Sequence, residues 1–163
     1  MRSVIIGVSA SSSWKIGSAA LKLYMGEKFS HVYIRYVDDQ GRDIVFQAAH
    51  GTVHPILFTH FIEENQVIKE FTVQFTEEEY QKLRTFYYDK MGERYAYLDL
   101  VLIFIYDALK SINIPIRDHK VPGYICSQLA ATMLVEIKGY QFEKPLNLIR
   151  PDDIYDKLNN NVL

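Results

Sequence analysis

Three side chains in this sequence have the types that acyl-transfer chemistry needs: a thiol, an imidazole and an amide. The thiol is Cys126, the only cysteine, in "KVPGYICSQLAATMLVEIKG". Ile125, Leu129, Met133 and Ile137 recur every four residues, so the segment reads as a helix that buries this stripe, with Cys126 in its first turn. There a thiol faces free backbone N–H groups and the positive end of the macrodipole, both of which favour thiolate. A lone unpaired cysteine is more often a small apolar core residue, so the reading turns on whether a base can meet it.

At neutral pH a thiol is mostly protonated and needs an imidazole to take its proton and later protonate the leaving group. Of five histidines, His31 stands at the start of "SHVYIRYV", an alternating run from which a side chain can be aimed. A single histidine is more commonly a surface or hydrogen-bonded residue. Gln47, in "IVFQAA" on the neighbouring strand, can accept the other ring N–H and orient the imidazole without adding charge. As a bare observation, a strand glutamine ordinarily faces solvent.

The elements that must position these groups follow from periodicity. "SVIIGVS" (Ser3 to Ser9) reads as a buried strand, followed by a Ser-rich loop to Ser13 and a helix from Trp14 to Met25. Strands at Ser30 to Val37 and Asp43 to Ala49 are joined by "DDQG", a hairpin composition, and a further strand covers Gln66 to Phe75. In the first of these, His31, Tyr33 and Arg35 share one face, and Val32, Ile34 and Tyr36 the other. Thr76 and Glu79 have capping-box spacing before a helix that puts Tyr80, Leu83 and Tyr87 on one side and Gly92 past its end. An apolar helix at Tyr97 to Ser111, the Cys126 helix and a short one in "RPDDIYDKL" complete the chain. Clustered strands and irregularly placed helices predict an α+β domain rather than a doubly wound sheet.

With 163 residues, 48% of them hydrophobic, and no repeat or linker, the chain reads as a single domain, 1–163. A formal charge of −2 excludes the basic field of a nucleic-acid binder. Asp99 and Asp107 interrupt the longest apolar run, which is too short for a spanning helix, so no stable membrane insertion is expected. One cysteine and a weakly charged N-terminus point to a reducing cytoplasm. No residue pattern bears on oligomeric state, and none calls for a cofactor.

The ordered set "FSHVYI", "VFQAA.G.V", "GERYAYLDL", "YICSQLAATML" and "RPDDIYDKL" resembles the circularly permuted branch of the NlpC-type papain-like hydrolases, particularly YiiX-like proteins, and more distantly the lecithin-retinol acyltransferase-like enzymes. The resemblance covers nearly the whole chain. It implies a papain-like fold, an antiparallel sheet packed against helices, with histidine preceding cysteine in sequence. Carried over, "SHV" makes His31 the base and "CSQL" makes Cys126 the nucleophile. The family's polar third position, often Glu or His, is Gln47 here. Gly92, Tyr95 and Pro151 match elements that are structural.

The function implied is a cysteine hydrolase or acyltransferase acting on a peptide, amide or lipid ester through an acyl-thioester. The Cys126 N–H would serve as one oxyanion donor and the Ser11 to Trp14 loop would supply the other. A cell-wall substrate would require release by a phage or a secretion system. The neutral Gln47 motivates a second reading, an inert binding or structural module. A third, metal hydrolysis by His50, His54 and His60, has the weakness that "HGTVHP" is a poor helix on which to align two ligands. His50 is also a substitute for Gln47, at an offset that puts it on the opposite face of a regular strand.

Overall fold

The computed structural model of the chain describes residues 1–11, 29–96 and 123–160. The expected helices at Trp14 to Met25 and Tyr97 to Ser111 lie outside the described residues. Five strands form one antiparallel sheet: β1 (Arg2–Ser11), β2 (His31–Val37), β3 (Asp43–Ala49), β4 (Thr52–Leu57) and β5 (Asn65–Phe75). Their spatial order is β4-β3-β2-β1-β5. Among the described residues four α-helices accompany them: α1 (Phe58–Glu64), α2 (Glu77–Lys90), α3 (Cys126–Lys138) and α4 (Pro151–Asn159). The architecture is therefore α+β, and none of the described helices is long and apolar enough to cross a membrane.

Two elements have no counterpart in the sequence reading. β4 holds Pro55, whose missing N–H argues against a strand, yet β4 is the sheet's edge and an edge strand tolerates proline. α1 has only seven residues and no side-chain cap at Leu57, so no start signal marks it. Ser9 to Ser11, which the composition reads as loop, belong to a strand. β1 runs on to Ser11 because Asn65 and Gln66 of β5 supply backbone partners, after a register shift between Val8 and Ser9.

Alternation divides the sheet into two buried faces. Val4, Ile6, Val8, Val32, Ile34, Phe46 and Ala48 form one core with Leu83 of α2, Leu129 and Met133 of α3, and Ile154 of α4. The capping box between Thr76 and Glu79 starts α2 as the spacing predicts, and a left-handed Gly139 ends α3. The opposite face carries a smaller cluster of Tyr33, Val45 and Phe61, the last from α1.

On that second face Tyr33 lies across Gly7, its partner on β1, and its hydroxyl reaches past the strand to donate to Glu70 Oε1 at 2.8 Å. A Cβ at Gly7 would collide with the Tyr33 ring. Gly7→Ala should therefore destabilise the chain by about 2 kcal/mol through overpacking, read from urea unfolding. The loss should shrink when Tyr33→Ala removes the ring in the same chain.

Candidate functional site

The start of α3 is set by a short backbone exchange. Tyr124 N–H donates to the Arg94 carbonyl at 2.9 Å and Ala96 N–H to the Tyr124 carbonyl at 3.1 Å. Gly123 stands at φ 116° with the Arg94 carbonyl where a Cβ would be, so only glycine allows this approach. Ile125 is the N-cap, its N–H accepted by Gln128 Oε1 at 3.4 Å, and Cys126 is the first helical residue. Cys126 is 7% exposed. Ser127 is wholly buried and donates its hydroxyl to the Ile149 carbonyl at 2.5 Å, which ties α3 to the segment before α4. The serine of "CSQL" is thus a structural residue, a role its sequence position does not disclose.

His31 opens β2 opposite Ser9 of β1, and Ser30 N–H donates to the Ser9 carbonyl at 3.0 Å. His31 Nε2 lies 2.6 Å from Gln47 Oε1. An amide oxygen only accepts, so Nε2 carries the hydrogen and Nδ1 is left with its lone pair. Gln47 is 3% exposed, not solvent-facing as strand glutamines usually are. His31 as a whole residue is half-buried, and its surroundings push the imidazole pKa down to about 4. Desolvation is the largest cause; the Gln47 hydrogen bond opposes it, and His50 and His54 add to it.

This contact sits where the sheet divides. The β2–β3 ladder runs from Val37↔Asp43 to Ile34↔Phe46 and stops, although β2 continues back to His31 and β3 on to Ala49. Each strand keeps its other neighbour, β1 up to Ser9↔His31 and β4 up to Ala49↔Thr52. His31 and Gln47 therefore bridge a split with a side-chain bond. By register both belong to the face of Tyr33 and Val45, whereas α3 packs on the face of Val32 and Ile34. Two of the expected residues are joined directly, and Cys126 is carried by the helix over the other face.

Ser9 is a group that sequence reasoning passed over. It is fully buried across from His31, and its Oγ has no hydrogen-bond partner among the described residues. At the end of an apolar strand it carries no local signal. His50 occupies the β3–β4 turn at φ 49°, with Nε2 3.6 Å from Glu64, and its ring is 6.3 Å from that of His54. His54 Nδ1 faces the Thr52 carbonyl at 3.1 Å, while His60 is exposed on α1. Among the described residues no group of three or more His, Cys, Asp or Glu side chains has the geometry to hold a metal ion.

No protein-family model matches the chain, and no curated protein matches it either.

Because the folded imidazole titrates near 4 against 6.5 when free, its contribution to stability is complete above pH 6.5 and is lost as pH falls toward 4. Between pH 7 and 4 the wild type should lose up to about 3 kcal/mol more than His31→Gln, measured by urea unfolding. Gln47→Glu sets a carboxylate beside the ring and should raise the His31 midpoint in an NMR titration.

Proposed function

We propose that the chain is a cysteine hydrolase or acyltransferase of papain-like, circularly permuted NlpC type, with Cys126 as nucleophile, His31 as base and Gln47 orienting the ring. The observation that supports this most is the bond from His31 Nε2 to Gln47, which leaves Nδ1 as the proton acceptor. On this reading the sulfur, carried over the opposite face, would have to reach the ring past the divided end of the β2–β3 ladder.

The resting imidazole is neutral, because desolvation and an uncharged third residue both disfavour an imidazolium. Attack and proton transfer then run together. The sulfur bonds to the carbonyl carbon of an amide or ester as its proton passes to Nδ1, and the carbonyl electrons move to oxygen. The Cys126 N–H at the helix N-terminus meets that oxyanion, and the buried Ser9 hydroxyl is the candidate second donor. The imidazolium protonates the leaving amine or alcohol. Water or another acceptor then resolves the acyl-thioester, using the same nitrogen as base. A low imidazole pKa keeps the base active in mild acid, so the acidic limb of the rate lies near pH 4.

A second reading keeps the cleft without turnover. The thiol's burial, the neutral Gln47 and the placement of α3 over the face opposite His31 favour it. Incubation with activated peptide, amide and lipid-ester substrates, followed by mass spectrometry, decides between them. The hydrolase predicts an acyl adduct on Cys126, turnover abolished by Cys126→Ser, and a fall of at least about 100-fold with His31→Ala. Absence of any adduct, or turnover that survives Cys126→Ser, would sink the catalytic proposal.

A further inference from the structure

The sheet treats its two edges differently. The outer side of β4 is occupied: Val53 N–H donates to the Glu93 carbonyl and Gly92 N–H to the Val53 carbonyl, both at 2.8 Å. Pro55 on the same strand has no N–H to offer a further strand. β5, the opposite edge, has eleven residues. Among the described residues, no backbone group outside β1 bonds to it between Glu70 and Gln74.

The two halves of β5 are unlike. In the first, the register shift opposite Val8 and Ser9 leaves Ile68 without a partner on β1, and Lys69 places a charge beside it. A bulge and an edge lysine both keep a further strand away. In the second half, from Glu70 to Gln74, the register is unbroken and each residue faces its partner from Gly7 to Ser3.

Lys138 of α3 reveals which groups face outward. Its ammonium donates to the Gln74 carbonyl at 2.9 Å, so that carbonyl points away from β1. Successive residues of a strand turn their backbone groups to opposite sides, and those of Thr72 and Glu70 therefore point outward too. Thr72 stands midway and is exposed. The edge thus presents a short ladder of N–H and C=O groups with room beside it.

We propose that this edge pairs with the same edge of a second copy of the chain, antiparallel and centred on Thr72, joining the two five-stranded sheets into one. A row of outward N–H and C=O groups is complementary to another extended strand, and the side chains favour the chain's own. With Thr72 opposite Thr72, each Glu70 meets a Gln74 on the open face, whose amide can donate to the carboxylate. Each Phe71 meets a Val73 on the core face, an aromatic and β-branched pair. Centring on Glu70 or on Lys69 would instead set like charges against each other. A carbonyl has two lone pairs, so Gln74 can accept the partner's Glu70 N–H and keep Lys138. The contact uses neither Cys126 nor His31 and does not depend on the catalytic reading.

Sedimentation velocity of the full chain over a concentration series tests this. The wild type should pass from monomer to dimer between about 1 and 500 µM, the range of a small polar interface. Thr72→Pro removes one outward N–H and leaves the β1 rungs in place. Thr72→Lys sets two ammonium groups across the axis. Each should weaken dimerisation at least about tenfold, with the circular dichroism spectrum of the monomer unchanged. In a Cys126→Ser chain, Thr72→Cys should form a disulfide-linked dimer on mild oxidation, since directly opposed residues lie about 5.5 Å apart at Cα. A chain that stays monomeric to about 500 µM, a dimer that survives both Thr72→Pro and Thr72→Lys, or a Thr72→Cys chain that does not cross-link would overturn the proposal.

Discussion

Beyond Ile34 and Phe46, β2 and β3 no longer share backbone hydrogen bonds, and the bond between His31 and Gln47 is what spans them. Everything unusual about the site follows from this substitution of a side-chain bond for a backbone rung. It fixes the ring's tautomer and buries an amide that would otherwise need water. A low-dielectric setting strengthens such a bond and also makes an ionised ring costly, which is why the imidazole titrates so low.

Three of the four residues on the second face of β2 form a graded series away from the split. His31 meets Gln47, Tyr33 crosses Gly7 to Glu70, and Arg35 joins Asp43 at 2.7 Å and Glu70 at 2.8 Å. The Arg35 guanidinium also lies 3.5 Å over the Phe58 ring, and Phe61 sits 4.4 Å from Tyr33. α1 is too short to stand on helix propensity, so these contacts are what seat it. Its Phe61 in turn lies 6.1 Å from the His31 ring and helps to exclude water from it.

The parts of the fold written in strong local signals were legible in the sequence. The capping box of α2, the β2–β3 hairpin at Asp38 to Gly41, and the buried stripe of α3 through Leu129 and Met133 all stand where spacing put them. Alternation also assigned His31, Tyr33 and Arg35 to a common face, and the need for a polar group on the neighbouring strand to orient the ring pointed to Gln47, which meets His31. What it did not carry was tertiary. β4 is a strand only because an edge accepts Pro55, α1 only because Arg35 and Tyr33 await its rings, and Ser9 matters only because β1 sets it across from His31. Which face of the sheet α3 covers is likewise not written in any single segment.

The clamp between Arg94–Ala96 and Gly123–Tyr124 has a consequence for how such a protein can vary. It fixes the residues that lead into α3 against Arg94 and Ala96, so the first turn of that helix holds its place only while position 123 stays without a side chain.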